Sequence, residues 1–331
     1  MIKRFPGRIK LSNLPTPIER LDRLSAELEG PRIYIKRDDY TGMEVSGNKI
    51  RKLEFALKEA LDQGCDTLIT CGGIQSNHAR ATSAVAAKFG LKSYLVLKSD
   101  REEEEAQGNY LLDKILGARI RLISTDDYSY RRTEIMEGIK KELEGEGLKP
   151  YIIPEGASNG IGTFGYFNAM KEILEQEEEL GVSFDAIVLT VGSGGTYAGA
   201  FLANRLLGHG ADIIGVNISA TAEHFKDQIG GILKESFQYI DESISFTKED
   251  FKIIDGYVGR GYALSRPEEL EFIKYLARLE GLILDPVYTG KAMYALVNEI
   301  KKGTLSQYQN ILFIHTGGLF GLFPKSHQLD E

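Results

Sequence analysis

The sequence has little of what marks metal-binding or secreted proteins. It contains only two cysteines, Cys65 and Cys71, and they do not form a C-x-x-C pair. The five histidines supply no H-E-x-x-H or similar metal spacing. Two cysteines cannot build a disulfide framework, which fits a reducing cytoplasm. We therefore expect no metal site and a cytoplasmic location.

Charge and hydropathy argue against two further classes of protein. The formal net charge is -8, so a general affinity for the phosphates of nucleic acids is not expected. No apolar run approaches the roughly 20 residues that a membrane-spanning helix needs. Residues 1–7 are too polar, and too interrupted by Pro6, for a secretory signal peptide. These features predict a soluble protein with neither nucleic acid nor a membrane as a partner.

Short apolar runs alternate with helical patterns along most of the 331 residues, a length that suits about two domains. The alternation predicts an α/β fold with open, twisted, largely parallel sheets covered by helices on both faces. The predicted strands cover residues 32–36, 67–70, 93–97, 119–123, 151–153, 186–191, 213–218 and 311–314. The predicted helices cover residues 48–63, 77–89, 106–116, 129–144, 163–180, 195–207, 267–280 and 290–302.

Three glycine-containing loops follow predicted strands, at residues 71–78, 192–196 and 315–318. Glycine is used where the backbone must approach a ligand closely. In open α/β sheets, ligands bind beyond the carboxyl ends of the strands. Three such loops therefore indicate a ligand site.

The loop Gly192-Ser193-Gly194-Gly195-Thr196 opens a predicted helix. Unpaired N–H groups and the positive end of the helix dipole suit a phosphate there. The loop matches neither G-x-G-x-x-G nor the P-loop spacing, so a dinucleotide or nucleoside triphosphate is not indicated. A single phosphate fits better. The alternative is a tight strand-to-helix turn that needs glycine only for packing.

The segment 46–55 places Lys49 at the start of an amphipathic helix, with Lys52 three residues later on the same face. Two ammonium groups at such a short distance disfavour each other's charge, so one of them is easier to deprotonate. A neutral amine is what Schiff-base chemistry with an aldehyde requires. The alternative is a solvated basic face, with Asn48 serving as the helix N-cap.

Other polar residues at these strand ends also have two interpretations. Ser76 is a natural N-cap, or it holds a hydroxyl near a reacting carbon beside Asn77. Tyr262 and Tyr288 are either buried tyrosines with satisfied hydroxyls, or general acid/base groups with a lowered pKa. Lys291 is expected to aid packing or solvation rather than catalysis.

Taken together, these motifs resemble one family, that of the pyridoxal-phosphate (PLP) enzymes of the tryptophan synthase β-like fold, fold type II. The chain is more narrowly similar to the group that contains D-cysteine desulfhydrase and 1-aminocyclopropane-1-carboxylate (ACC) deaminase. The motifs span nearly the whole chain in family order. They are Ile35-Lys36-Arg37-Asp38-Asp39, Gly47-Asn48-Lys49-Ile50-Arg51-Lys52-Leu53-Glu54, Gln75-Ser76-Asn77-His78, Gly192-Ser193-Gly194-Gly195-Thr196, Asp285-Pro286-Val287-Tyr288-Thr289-Gly290-Lys291 and His315-Thr316-Gly317-Gly318.

The resemblance implies the residues that bind pyridoxal 5'-phosphate. Lys49 forms the Schiff base with the cofactor and later shuttles the Cα proton. Lys52 holds the cofactor phosphate together with the backbone amides of Ser193, Gly194, Gly195 and Thr196. Asn77 bonds the phenolic oxygen of the cofactor.

The resemblance also implies a substrate face and a domain arrangement. Ser76 faces the substrate carboxylate or acts as an acid/base group, while Tyr262 and Tyr288 flank a small amino-acid substrate from the opposite side. Residues 1–50 and 161–331 form a larger cofactor-binding domain. Residues 51–160 form a smaller inserted α/β domain, with the active site in the cleft between the two. A homodimer is expected.

Two threonines separate the subgroups of this family. ACC deaminases carry a glutamate and a leucine where this chain has Thr289 and Thr316. A carboxylate beside the pyridine nitrogen would keep it protonated and make the ring a deep electron sink, whereas a threonine hydroxyl cannot. The threonines favour α,β-elimination with a good leaving group such as the thiolate of D-cysteine. The alternatives are ACC deaminase, a D- or L-serine dehydratase, an L-cysteate sulfo-lyase, or a catalytically silent amino-acid-binding protein, for which the loss of Lys49 would be the expected mark.

Overall fold

A computed structural model of the chain describes residues 4–329. The strands are β1 (Ile18–Arg20), β2 (Arg32–Lys36), β3 (Thr67–Gly73), β4 (Lys92–Lys98), β5 (Arg119–Ile123), β6 (Pro150–Ile152), β7 (Ala186–Val191), β8 (Asp212–Asn217), β9 (Lys252–Ile254) and β10 (Asn310–Ile314). The α-helices are α1 (Asp22–Leu28), α2 (Lys49–Asp62), α3 (Asn77–Lys88), α4 (Gly108–Ile115), α5 (Thr125–Gly145), α6 (Thr163–Leu180), α7 (Gly195–Leu207), α8 (Ala222–Ser236), α9 (Pro267–Glu280) and α10 (Thr289–Lys301).

The strands form two sheets. A six-stranded sheet has the order β1-β2-β10-β7-β8-β9, and a four-stranded sheet has the order β5-β4-β3-β6. Every pairing is parallel except that of β1 with β2. All six residues of the central strand β7 are buried, as expected for a parallel strand covered by helices on both faces. The predicted α/β fold class is confirmed.

The predicted element bounds agree with the structure to within two residues at all but two ends. Strand β3 continues to Gly73 rather than ending at residue 70, so part of the first predicted glycine loop is strand. Helix α5 begins at Thr125 rather than at residue 129. Its N-cap is Ser124, whose hydroxyl accepts a hydrogen bond from the Asp127 N–H at 3.1 Å.

Four elements were not predicted from the sequence: β1, α1, α8 and β9. Strands β1 and β9 have only three residues each, too few to show an alternating pattern. Helix α8 buries Phe225, Ile229, Ile232 and Leu233 along one face. It also contains Gly230 and Gly231, whose low helix propensity obscures that pattern.

Helix α2, which begins at Lys49, is fixed in the core by an ionic network. Arg51 is buried and donates to both oxygens of Asp38, at 2.9 and 2.7 Å, and to Glu172 at 2.9 Å. The Tyr166 hydroxyl donates to Asp38 at 2.6 Å. One turn further along α2, the buried carboxylate of Glu54 accepts several hydrogen bonds from residues 8–12. The start of this helix is therefore held rigidly.

The three predicted loops follow strands β3, β7 and β10. The four-stranded sheet is built from residues between 67 and 152, while the six-stranded sheet takes its strands from both sides of that segment. The domain boundaries at residues 50/51 and 160/161 stay a prediction. Among residues 4–329, no helix is both long and apolar enough to cross a membrane.

Candidate active site

The loops at the strand ends meet around one small cavity. Most of the site residues predicted from the sequence line it: Lys49, Ser76, Asn77, Ser193, Gly194, Thr196, Tyr262, Tyr288 and Thr316. Three predicted residues do not appear in its lining, namely Lys52, Gly195 and Thr289. Side chains from the loops after β3, β7 and β10 thus converge with the start of α2.

A close approach of two loops positions Lys49. Gly47 has a φ of 102°, and a Cβ atom there would lie 2.7 Å from the Thr316 carbonyl oxygen. The Asn48 N–H donates to that same oxygen at 3.1 Å. Only glycine allows both the left-handed backbone and this contact. The loop therefore places Lys49, the first residue of α2, in the wall of the cavity.

Asn48 binds side chains rather than capping the helix. Its side chain makes no capping hydrogen bond, although it occupies the N-cap position of α2. Its amide donates to the Thr196 hydroxyl at 3.1 Å, and its oxygen accepts from the Lys49 amine at 2.9 Å. Asn48 therefore links Lys49 to the glycine loop after β7, a role that the N-cap interpretation missed.

Burial lowers the pKa of Lys49 to about 8. The negative charges of Glu155 and Asp285 oppose this shift, and the charge of Arg80 adds to it. The sequence argument attributed an easier deprotonation to the neighbouring Lys52, whereas burial is the main cause. A substantial fraction of the Lys49 amine is thus neutral near physiological pH.

Lys52 lies behind the cavity wall in a group of converging donors. The Ser158 hydroxyl accepts from the Lys52 amine at 3.0 Å and from the Gly195 N–H at 3.2 Å, and it lies 2.7 Å from the Ser193 hydroxyl. Burial, and then the charge of Lys49, lowers the pKa of Lys52 well below its ordinary value. Gly195 is the first residue of α7, so its N–H is at the positive end of the helix dipole. This group, Lys52, Ser158, Ser193 and Gly195, is called the anion cradle below.

Space in the anion cradle depends on glycine. A Cβ atom on Gly195 would lie 2.6 Å from the Ser158 hydroxyl and 2.8 Å from the Lys52 amine. Gly194 precedes it with a φ of 83°, which favours glycine. The glycines of this loop are therefore required by the cradle as well as by the turn.

The start of α3 presents two predicted residues and one that was not assigned. Ser76 is the N-cap, and its hydroxyl accepts from the Ala79 N–H at 3.1 Å. The Asn77 side-chain oxygen accepts from the buried Asn109 at 3.0 Å, and the Asn77 NH₂ group has no hydrogen-bond partner within residues 4–329. His78 lines the cavity, and burial followed by the charges of Lys49 and Lys52 lowers its pKa, so its imidazole is neutral.

Tyr262 and Tyr288 form a pair. Their hydroxyls are hydrogen-bonded to each other, and their rings lie 6.0 Å apart in an edge-to-face arrangement. Burial raises the pKa of Tyr262 to about 12 and, together with the charge of Tyr262, raises that of Tyr288 well above its ordinary value. The sequence analysis expected a lowered pKa for an acid/base role, and the structure gives the opposite direction. Both hydroxyls therefore stay protonated.

Thr289 and Thr316 differ in their surroundings. Thr316 lines the cavity. Thr289 is buried, and both its N–H and its hydroxyl donate to Asp285, at 2.8 and 2.7 Å. The same carboxylate accepts from the N–H groups of Val287 and Tyr288. Asp285 thus holds the loop that carries Tyr288, and the assignment of Thr289 to the cofactor stays a prediction.

Lys291 ties the two tyrosine-bearing segments together. It is buried, and its amine donates to the carbonyls of Val258, Gly261 and Leu264 at 2.6 to 3.0 Å. These carbonyls flank Tyr262, while Lys291 itself follows Tyr288 on α10. It acts in packing, as the sequence analysis expected.

Sequence reasoning missed one loop at the site. Glu155, Gly156 and Ser158 follow strand β6, and Glu155 and Gly156 line the cavity while Ser158 belongs to the anion cradle. The segment carries Gly156 and Gly160 at the end of a predicted strand. The criterion that found the other three loops would have found this fourth one.

The geometry fits a phosphorylated aldehyde. Lys49 offers an amine with a pKa of about 8, and the anion cradle offers donors that no carboxylate in the described part of the chain satisfies. The buried hydroxyl of Thr190, which also lines the cavity, has no hydrogen-bond partner among the described residues. Such an orphaned group favours a polar ligand.

Comparisons with known proteins agree with this geometry. Residues 9–317 match the family model described as pyridoxal-phosphate dependent enzyme. The bifunctional D-cysteine desulfhydrase/1-aminocyclopropane-1-carboxylate deaminase of Arabidopsis thaliana, named as mitochondrial, is 44% identical over 96% of this chain and 80% of its own length. The D-cysteine desulfhydrase of Salmonella typhi is 40% identical over 97% of each chain.

A solved structure has the same fold over nearly the whole chain. It is described as an ACC deaminase homologue and is 41% identical, with a TM-score of 0.90 over 98% of this chain and 96% of its own. The described residues supply an amine and an anion cradle that fit the phosphorylated aldehyde of this family. The chain therefore belongs to the pyridoxal-phosphate dependent enzyme family, and pyridoxal phosphate is its cofactor.

Proposed function

We propose that this enzyme catalyses α,β-elimination on a small amino acid, and that D-cysteine is converted to pyruvate, hydrogen sulfide and ammonia. The choice of D-cysteine as the substrate rests on the hydrogen bonds made by the residues around Tyr288. Thr289 bonds to Asp285, and that carboxylate accepts four fixed hydrogen bonds. The cavity wall offers the hydroxyl of Thr316 where ACC deaminases carry a leucine. No acid of this loop is left free to protonate the ring nitrogen, which favours a reaction with a good leaving group.

The chain's own residues would hold the cofactor at three points. Lys49 would bind its aldehyde carbon, and the anion cradle would bind its phosphate through charge-assisted hydrogen bonds. Asn77 would donate its free NH₂ group to the phenolic oxygen. When bound, the cofactor supplies an electron sink for the pair left at Cα.

The proposed elimination breaks two bonds of the substrate, Cα–H and Cβ–S. Lys49 takes the Cα proton, and the electron pair left behind forms the Cα–Cβ double bond. The Cβ–S bond breaks, and its electron pair leaves with sulfur as hydrosulfide. The released enamine tautomerises and takes up one water, giving pyruvate and ammonia. Tyr262 and Tyr288, held protonated by burial, can donate hydrogen bonds at the leaving group, and Ser76 can do so at the substrate carboxylate.

Gly195→Ala tests the anion cradle. The added methyl group would overlap the Ser158 hydroxyl and the Lys52 amine. We expect the dissociation constant of pyridoxal phosphate to rise about 10- to 100-fold, since the loss of one charge-assisted hydrogen bond costs about 1.5–3 kcal/mol. Cofactor titration by absorbance measures it. Gly138→Ala is the control because nothing lies within 4 Å of a Cβ there, and equal affinities in the two variants would contradict the assignment.

One substrate comparison tests the proposed reaction. We expect D-cysteine to give pyruvate and sulfide with a higher kcat/KM than L-cysteine, D-serine, L-cysteate or ACC. ACC deaminase is the second candidate because the Arabidopsis relative carries both names. A higher kcat/KM for 2-oxobutyrate formation from ACC would overturn D-cysteine as the substrate.

A catalytically silent amino-acid-binding protein is the non-enzyme alternative. The presence of Lys49, with a pKa of about 8, supports an enzyme. If the loaded protein binds amino acids, seen as a change in the cofactor spectrum, but releases no 2-oxo acid from any of the five compounds, the silent alternative holds.

We also propose the two-domain division and a homodimer. The division at residues 50/51 and 160/161 is supported by the separate four-stranded sheet between residues 67 and 152. The dimer rests on the family resemblance. Sedimentation of the holoenzyme at the mass of one chain would overturn the dimer.

A further inference from the structure

Glu155 places a carboxylate in the wall of the active site. It lines the small cavity beside Lys49, and it also lines a second cavity of about 500 Å³ that shares part of its wall with the first. Its side chain is 38% exposed, so the carboxylate is open to a molecule that enters. Among the residues that the structure describes, it is the one acid that borders both cavities.

A strained turn fixes the position of Glu155. Gly156 and Ala157 both have left-handed backbones, with φ values of 67° and 47°. Such a conformation is unfavourable for alanine and persists where the surroundings enforce it. A Cβ atom on Gly156 would lie 3.5 Å from Cε of Lys49, and the Ala157 N–H donates to the Pro154 carbonyl at 2.9 Å. The turn therefore holds Glu155 in the wall of the small cavity that Lys49 also lines.

Two cations share the wall of the larger cavity with Glu155. The Arg132 guanidinium lies 3.9 Å from the Glu155 carboxylate, and Lys98 lies over the Tyr262 ring, 5.1 Å from its centroid. Within residues 4–329, Lys98 makes no salt bridge. The other acid in this cavity, Glu235, accepts a hydrogen bond from the Gly160 N–H. Glu155 thus offsets the charge of Arg132 and lines the same cavity as Lys98.

We infer that Glu155 is a specificity residue that selects amino acids whose β-substituent is neutral and rejects those whose β-substituent is an anion. The inference rests on the proposed β-elimination, since the β-substituent is the leaving group. An anionic group within roughly 7 Å of the carboxylate is repelled, while a thiol is not. Without Glu155, Arg132 loses the acid it pairs with, and Glu235 is left as the one acid facing Arg132 and Lys98 among the described residues of this cavity, which favours binding of a sulfonate or carboxylate.

Glu155→Gln tests this selection. The wild-type and variant holoenzymes are each assayed on two substrates, cysteine and cysteate of the same chirality. When the Cβ–S bond breaks, its electron pair leaves with hydrosulfide from cysteine and with sulfite from cysteate. The ratio of kcat/KM for cysteate to that for cysteine should rise at least about 10-fold in the variant, and more at low ionic strength than at high. Glu137→Gln, which removes an exposed acid from the helix that carries Arg132, should leave the ratio unchanged.

Arg132→Met is a second variant, for which we expect the opposite change in the ratio of kcat/KM for cysteate to that for cysteine. Removal of the paired cation leaves Glu155 uncompensated, so the same ratio should fall at least about 3-fold. A change of less than twofold in both variants, or the same ratio change in Glu137→Gln as in Glu155→Gln, overturns the inference.

A binding measurement separates this inference from the proposed reaction. Alanine and aspartate of one chirality carry no good leaving group, and their binding is read from the cofactor spectrum. Glu155→Gln should strengthen aspartate binding relative to alanine binding at least about 10-fold. If wild-type enzyme eliminates neither cysteine nor cysteate while this shift occurs, the proposed reaction fails and the specificity role of Glu155 holds. An unchanged binding ratio overturns that role whatever the reaction is.

Discussion

Lys49→Ala should reduce pyruvate formation from D-cysteine by at least about 10³-fold. The amine of Lys49 is proposed both to bind the cofactor aldehyde and to take the Cα proton, and alanine can do neither. Positioned proton transfer alone contributes about 10²–10⁴-fold to a rate. The loaded wild-type protein should show a visible absorbance band that the variant lacks. Steady-state pyruvate assays and an absorbance scan measure the two effects.

A lysine on the same helix provides the control. Lys58 lies on α2, and its side chain pairs with Asp62 one turn away at the surface. Such helix pairs contribute only about 0.2–0.5 kcal/mol, so Lys58→Ala should keep the absorbance band and full activity. A Lys49→Ala protein that stays yellow and active would contradict the role proposed for Lys49.

The pH dependence of cofactor attachment reports on the same lysine. Its pKa of about 8 means that raising the pH through this value converts the amine to its neutral, nucleophilic form. The rate of attachment to the apoenzyme should therefore rise roughly 10-fold from pH 7 to 9 and then level off. An ordinary lysine, with a pKa of about 10.4, would give a continuing rise of about 100-fold over the same range. Stopped-flow absorbance distinguishes the two.

The parts of the site that could be predicted from the sequence depend on local backbone geometry. Loops rich in glycine at the ends of strands β3, β7 and β10 could be identified because both glycine and strand patterns are local signals. The same criterion would have found the loop that carries Ser158, but not the role of Ser158, because it meets Lys52 and Gly195 only through contacts across more than 30 residues of sequence. Its place in the anion cradle is a property of the tertiary fold.

Charge states at the site were the least predictable feature. The sequence places Lys52 one helical turn from Lys49, but it does not reveal that burial governs the pKa of Lys49. It offers Tyr262 and Tyr288 as acid/base groups without showing that burial raises the pKa of both. Desolvation depends on what packs around a group, and no motif encodes that.

Arg51→Met should cause a large loss of stability, because it removes the central cation of the buried network at the start of α2. The side chains of Arg51 and Asp38 are 1% and 0% exposed, and that of Glu172 is 11% exposed. Burial alone would raise the pKa of the Asp38 carboxyl, but the charge and hydrogen bonds of Arg51 bring it below its ordinary value. Methionine fills much of the space but leaves both carboxylates without their main partner. Breaking a buried ion pair in this way costs about 3–5 kcal/mol in the free energy of unfolding.

Chemical denaturation of the apoenzyme measures this loss without a contribution from the cofactor. The matched control is Arg20→Met, because Arg20 pairs with Asp22 at 2.8 Å while both side chains are substantially exposed, at 47% and 71%. Exposed pairs contribute about 0–1 kcal/mol, so the control should unfold close to wild type. If the two variants unfold at the same denaturant concentration, the buried network does not stabilise α2. If only Arg51→Met is destabilised and its affinity for pyridoxal phosphate also falls, the network both stabilises the fold and fixes Lys49, which begins the helix two residues earlier.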